Sequence, residues 1–346
     1  MLKTLMIGLT PPLEGGSERH ILEVSSRLKN VTVLTQRGSL CEDKIEVNLI
    51  KTKINYLKSL FFLITVFLKI PKIFSLKFEV VHIHENYLFL FLPLFKIKFK
   101  TVVTIHGIKG FRFYDNKFLW FIFKNFLKFA DRIITVSVAD KSILKNDFNN
   151  LVYIPNGVDT KIYKEITVPV GNKITFAGRI HEQKGVIYLI KAFYDIEDKI
   201  PNFKLEIIGK VNDYAKELME KFPSKKIIWK GFILDRKELF EEIASSYVLV
   251  YPSLWEALPW PALLEGLASG RPVIASNLNG MKEIFLDKEE ILLFDPRDYE
   301  KLSETLLKVI KDKIFANFIG LNGKSKAKEY DWDRIAKEVS EVFEKW

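Results

Sequence analysis

The feature that most narrows the fold is a repeated alternation of short apolar runs with longer amphipathic stretches. An apolar run of a few residues suits a strand buried on both faces of a parallel sheet. The amphipathic stretch after it supplies the crossover helix that a parallel connection needs. In the first half such runs are 4–9, 30–35, 80–84, 101–105, 132–136 and 151–154. In the second half they are 173–177, 204–208, 227–229, 248–251, 273–275 and 291–294. Two similar sets predict an α/β chain with two doubly wound parallel sheets. The turn Thr167-Val168-Pro169-Val170-Gly171-Asn172 separates them, which predicts domains over 1–168 and 169–328. The tail, 329–346, reads as a helix with Trp332, Ile335, Ala336, Val339, Val342 and Phe343 on one face.

A chain of 346 residues, 48% hydrophobic and 28% charged, can bury a large core, which excludes disordered and low-complexity classes. The one cysteine, Cys41, can form no internal disulfide and no thiolate-rich metal site, so a reduced, cytoplasmic setting is expected. The net charge of +10 is concentrated. Residues 51–130 hold 14 Lys and Arg against Glu79, Glu85 and Asp115, together with 20 aromatic residues that include Phe61, Phe62, Phe67, Phe111, Phe113, Trp120 and Phe121. Such a basic, aromatic segment suits an anionic membrane surface or a nucleic acid. The longest uncharged runs of this segment, 59–68 and 86–95, are far shorter than the roughly 20 residues that span a bilayer, so no crossing is expected. The first residues read as a buried strand ending at Pro11-Pro12 and not as a signal peptide.

Three constellations could carry chemistry. Pro11-Pro12-Leu13-Glu14-Gly15-Gly16-Ser17-Glu18-Arg19-His20 joins the first strand to a helix. Its Gly-Gly pair either lets a phosphate approach the free N–H groups of the helix start or merely makes the turn. Gly178-Arg179-Ile180-His181-Glu182-Gln183-Lys184-Gly185 follows the first strand of the second sheet. Arg179 and Lys184 there could offset the charge of one diphosphate, or be two solvated cations. The third runs from Tyr251-Pro252-Ser253-Leu254-Trp255-Glu256 through Leu258-Pro259-Trp260-Pro261 to Glu265 and Gly270. It sets Glu256 at a helix entry and Glu265 within the helix, as sugar and ribose ligands or as ordinary helix-face acids.

Taken in order with Val80-Val81-His82-Ile83-His84, Thr104-Ile105-His106-Gly107, Ile133-Ile134-Thr135-Val136-Ser137, Ile154-Pro155-Asn156-Gly157-Val158-Asp159 and Pro272-Val273-Ile274, these motifs resemble the GT-B fold glycosyltransferases of family 4, a large retaining group. The resemblance covers nearly the whole chain. It implies two Rossmann-like domains with an interdomain cleft, an acceptor-binding first domain, a nucleotide-sugar-binding second domain, and a final helix from Tyr330-Asp331-Trp332 that crosses back to the first. By the same resemblance Gly15 and Gly16 meet the donor phosphate, and His106 lies near the donor sugar and reaction centre. Arg179 and Lys184 clamp the diphosphate, Glu256 stands next to the transferred sugar, Glu265 binds the ribose, and Leu258, Pro259 and Trp260 complete the donor site. The two acids are nine residues apart where the family usually has eight, and Ala257 replaces a glycine often found after the first.

The implied reaction is retaining transfer of a hexose from a nucleoside-diphosphate sugar, UDP or GDP, to a hydroxyl acceptor, with no metal and no other cofactor. The basic aromatic segment then suggests a lipid-linked or membrane-embedded acceptor, or else a cell-surface glycan precursor, and peripheral association with the inner face of the membrane, with no nucleic acid partner. Asp331-Trp332-Asp333 resembles a metal-binding Asp-x-Asp, but at a helix start capping is the simpler role. His82, His84 and Glu85 could look like metal ligands, His82 and His84 sharing one strand face, but without a third positioned ligand the histidines read as core or site-edge residues. Two rival readings are a nucleotide-sugar epimerase on the same fold and a non-enzymatic basic binding protein.

Overall fold

A computed structural model of the protein describes residues 2–12, 15–50, 54–108 and 115–345. Leu13, Glu14, Phe111 and Phe113 of the sequence reading lie outside the described residues. The chain divides into two compact units, 1–156 with 332–346, and 157–331.

The first unit holds β1 (Thr4–Ile7), β2 (Val31–Gln36), β3 (Lys44–Val47), β4 (Val80–Ile83), β5 (Lys100–Ile105), β6 (Arg132–Thr135) and β7 (Leu151–Tyr153), all parallel, in the order β3-β2-β1-β4-β5-β6-β7. Alternate residues of each strand feed opposite cores, as the two-residue period demands. Leu5, Ile7, Val81, Ile83, Val103 and Ile105 pack with the helices Asn55–Ser75 and Lys117–Leu127 through Phe62, Val66, Ile70, Phe123 and Leu127. On the other face Met6, Val33, Val80, Val102 and Ile134 pack with Ile21 and Val24 of the helix Gly16–Ser25. Trp332, Ile335, Val339, Val342 and Phe343 of the C-terminal helix Trp332–Glu344 complete that core. Arg27 Nε donates to Asp333 at 2.8 Å at the same seam.

The second unit holds β8 (Lys173–Ala177), β9 (Lys204–Ile208), β10 (Ile227–Gly231), β11 (Val248–Tyr251), β12 (Val273–Ser276) and β13 (Leu292–Phe294), again parallel, in the order β10-β9-β8-β11-β12-β13. In each sheet the order reverses beside its first strand, next to β4 and next to β11. In open α/β sheets, ligands bind beyond the carboxyl ends of the strands at such switch points.

The division differs from the sequence reading at both ends. The turn at 167–172 is not the junction, because Val158, Ile162, Tyr163, Ile166 and Val168 already pack in the second unit's core. Val158 N–H donates to the Tyr330 carbonyl at 2.8 Å, and Thr160 N–H to the Asp331 carboxylate at 3.4 Å. These ties hold 157–168 and 329–331 in the second unit, so the boundaries fall at 156/157 and 331/332 instead of 168/169 and 328/329. The side chains of Asp331 and Asp333 thus serve as structural ties, to Thr160 and to Arg27 respectively.

Candidate active site

In the second unit the site grows from the loop after β8. Gly185 has φ +64°, and a Cβ there would fall on the Pro252 carbonyl oxygen, so only glycine lets the two loops close on one another. Leu254 N–H donates to the Gln183 carbonyl at 2.7 Å, sewing the loop after β11 to the loop after β8. The seam brings together side chains 72 residues apart in sequence. Lys184 Nζ pairs with Glu256 Oε1, both side chains being largely buried at 12% and 8% exposure. Ser253 Oγ donates to Glu256 Oε1 at 2.9 Å, and Gln183 Nε2 donates to the Trp255 carbonyl at 2.9 Å and to Glu256 Oε2 at 3.3 Å. The nine-residue spacing to Glu265 therefore leaves Glu256 anchored. Arg179, five residues before Lys184, is exposed and has no ion pair among the described residues. One cation of the expected clamp is thus already matched by a carboxylate, and the other is open to a ligand.

Glu265 lies in the helix Pro261–Ala268, with Arg236 Nη2 at 3.7 Å. Burial first, and then the charge of Glu265, push the phenols of Tyr163 and Tyr251 above their ordinary range. Leu258 and Trp260 are buried in the same core and Pro259 is buried beside them. What this segment can offer a ligand is therefore its backbone.

In the first unit, Gly15 precedes the helix Gly16–Ser25, and the Glu18 carboxylate folds over it where a Cβ would stand. Ser17 Oγ donates to Glu18 at 2.8 Å. A negative charge at this helix start is favourable, so the turn already attracts an anion, here a side chain of the protein. Beside it, after β4, Glu85 accepts from Leu9 N–H at 3.1 Å; burial, with the charge of Glu18 adding, pushes its carboxyl up to about 7.

Four of the five histidines of the chain lie at the same sheet edge. His84 Nδ1 is 3.1 Å from His106 Nε2, His82 Nε2 is 2.7 Å from Thr104 Oγ1, and His20 Nδ1 is 3.1 Å from Asn156 Oδ1. Burial lowers the pKa of all four, that of His20 to about 4, so the rings are neutral at pH 7. The rings do not converge on a point: among the described residues, no group of three or more His, Cys, Asp or Glu side chains could hold a metal ion. Sequence reasoning singled out His106 and noted His82, His84 and Glu85, but gave His20 no role. The signal available for His20 was position alone, directly after Gly-Gly-Ser-Glu-Arg.

Two doubly wound parallel sheets, each with ligand-competent loops at the carboxyl ends of its strands, define the GT-B class of glycosyltransferase. The Anabaena protein HepE, solved in complex with UDP and glucose, shares this fold with a TM-score of 0.80, covering 100% of both chains at 16% identity. Residues 160–326 match the family profile of the group 1 glycosyl transferases, and residues 14–162 that of glycosyltransferase family 4. The chain belongs to this family and is a glycosyltransferase. An uncharacterised glycosyltransferase of Methanocaldococcus jannaschii is 29% identical over 358 residues, covering 99% of this chain and 98% of the relative. A UDP-Gal:α-D-GlcNAc-diphosphoundecaprenol α-1,3-galactosyltransferase of Escherichia coli is 27% identical over 282 residues, covering 72% and 70%.

Proposed function

We propose that the protein is a retaining hexosyltransferase that needs no metal and moves a sugar from a nucleoside diphosphate to the hydroxyl of a lipid-linked acceptor. The observation that carries this reading is the Lys184–Glu256 pair, held by Ser253 and Gln183 beside the exposed Arg179 at the carboxyl edge of β8. A departing diphosphate gains negative charge, and preorganised cations stabilise that charge without reorganising. Arg179 meets it as a planar fork, and Lys184 as a point charge oriented by Glu256. Glu265 takes the ribose hydroxyls, and His106 stands at the sugar. In a front-face substitution the bond from the anomeric carbon to the diphosphate oxygen breaks. The bond to the acceptor oxygen forms on the same face, and the acceptor proton passes to the departing phosphate oxygen.

The lipid part rests on the helix Asn55–Ser75. It carries Lys58, Lys69 and Lys72, has no acid, and exposes Tyr56, Leu60, Ile64, Phe67 and Leu68. Phe118 and Phe121 are likewise exposed on the helix Lys117–Leu127. Among the described residues no helix is long and apolar enough to cross a membrane. An amphipathic, cationic face of this kind binds an anionic lipid surface from one side, which suits an enzyme on the inner face of the cell membrane whose acceptor is anchored there. The E. coli relative is named for an acceptor of that kind, a diphosphoundecaprenol sugar.

The test is thermal stabilisation by UDP-, GDP- and ADP-sugars in EDTA, followed by transfer assays on lipid-linked acceptors. A shift with one nucleotide that disappears in Arg179→Ala and Glu265→Ala supports the donor assignment. No shift with any of them refutes it. Vesicle binding insensitive to anionic lipid and to salt refutes the membrane part.

A further inference from the structure

His106 reaches the sheet edge from the end of β5, and two histidines from other segments grip its ring. His84, from the end of β4, stacks with it at 25° and a centroid distance of 5.4 Å. His20, from the helix Gly16–Ser25, meets it edge-on at 5.1 Å and is backed in turn by Trp332 at 5.6 Å. His82 lies against His84 at 4.1 Å. The polar accounting of this cluster is unusual. Buried imidazole nitrogens ordinarily find partners, and a functional histidine ordinarily donates its second nitrogen to a carboxylate or a carbonyl. Here the partner of His106 Nε2 is another imidazole nitrogen, His84 Nδ1, at 3.1 Å. No histidine of the four is ion-paired with a carboxylate among the described residues, and His106 Nδ1 and His84 Nε2 are buried with no hydrogen-bond partner.

The two kinds of partner do different things. A carboxylate orients an imidazole and also favours its cationic form. A second neutral imidazole orients it and adds no charge. Of the two nitrogens sharing that hydrogen bond, one carries the hydrogen and the other does not, so the tautomers of the two rings are locked together. Whichever way the hydrogen lies, the free Nδ1 of His106 has one defined character, donor or acceptor. We propose that His84 is the positioning residue of the enzyme, holding His106 in one neutral tautomer and one orientation through the imidazole–imidazole hydrogen bond. The benefit is electrostatic. An oxocarbenium-like centre carries positive charge, and a cationic ring beside it would oppose its formation, whereas a neutral ring of fixed tautomer does not. The kinetic part of this inference rests on the proposed placement of His106 at the reaction centre. The tautomer part does not.

Ring-nitrogen chemical shifts of the full-length protein labelled with 15N-histidine, His106 being assigned by its loss in His106→Gln, read the tautomer directly. The wild type should show one neutral tautomer at His106, with widely separated Nδ1 and Nε2 shifts. His84→Leu should bring those shifts together and lower kcat at least tenfold, with the donor KM changed less than about twofold. His84→Asn, whose amide can occupy the place of Nδ1, should restore the separated shifts and most of kcat. His84→Gln, whose amide reaches the place of Nε2 instead, should behave as His84→Leu, and it carries the test if the leucine variant fails to fold. Averaged shifts in the wild type, unchanged shifts in His84→Leu or His84→Gln, or equal kcat losses in the asparagine and glutamine variants would overturn the proposal. Full activity in His106→Gln would instead refute the placement of His106, whatever the spectra show.

Discussion

Lys184→Met tests the second unit's site most directly, because the structure sets the size of the effect. Lys184 and Glu256 are only 12% and 8% exposed, so removing the ammonium leaves a nearly buried carboxylate with Ser253 and Gln183 as its remaining partners. Breaking a buried pair from one side costs roughly 3–5 kcal/mol, and the two surviving hydrogen bonds bring the expectation down to about 2–3 kcal/mol. The second unit spans 157–331, a size for which 1 kcal/mol moves the melting temperature by about 2–4 °C, so its calorimetric transition should fall by roughly 4–12 °C. Glu256→Gln, which strands the lysine, should fall comparably. The double variant should fall by clearly less than the sum of the two, with a coupling above about 1 kcal/mol, because neither charge is then left unpaired. Donor binding should weaken in all variants lacking Lys184, including the double variant whose stability is partly recovered. Additivity of the two single changes within about 0.5 kcal/mol would refute the pairing argument. Unaltered donor affinity would refute the role of Lys184 as a diphosphate cation.

Gly185→Ala combines a left-handed backbone angle with a Cβ on the Pro252 carbonyl oxygen, so it should cost at least about 2 kcal/mol and open the seam between the two loops, read as a lower melting temperature together with lost donor stabilisation. Glu85 is raised from 4.5 to about 7 in the folded state, so the folded chain holds its proton longer than the unfolded one and stability falls as pH rises through 4.5 to 7. Glu85→Gln should therefore match the wild type below pH 4.5 and exceed it by about 3 kcal/mol above pH 7 in urea titrations; identical curves at pH 8 would contradict this. His20 has the opposite sign: lowered from 6.5 to about 4, it gives stability that is fully present above 6.5 and is lost as pH falls toward 4. Replacing it with Asn should reduce the pH dependence of first-unit stability in that window by about one proton, measured by denaturation between pH 4 and 7.

The class of the fold and the order of its elements were legible in the amino-acid pattern alone. Strands buried on both faces must be apolar throughout, and their crossovers must be amphipathic, so β1, β2, β4 to β7 and β8 to β13 left a pattern that periodicity alone reads. The exception is β3, Lys44–Val47, a partly exposed strand of four residues at the sheet edge, where half the burial leaves half the signal. The motif residues were legible too, because glycines at tight approaches and charges at strand ends mark backbone needs that are local.

The non-local features emerged from the folded chain. A turn sequence tells where the chain bends and not which core claims the residues beyond it, so 157–168 went to the second unit through Val158 and Tyr163. Leu258 and Trp260 proved to be core residues because burial depends on what packs above them. Lys184 met Glu256 across 72 positions, and His20, His84 and His106 met from a helix and two strands. Pairings of that kind are fixed by strand order and loop closure, which sum over the whole sheet, and no window of sequence contains them.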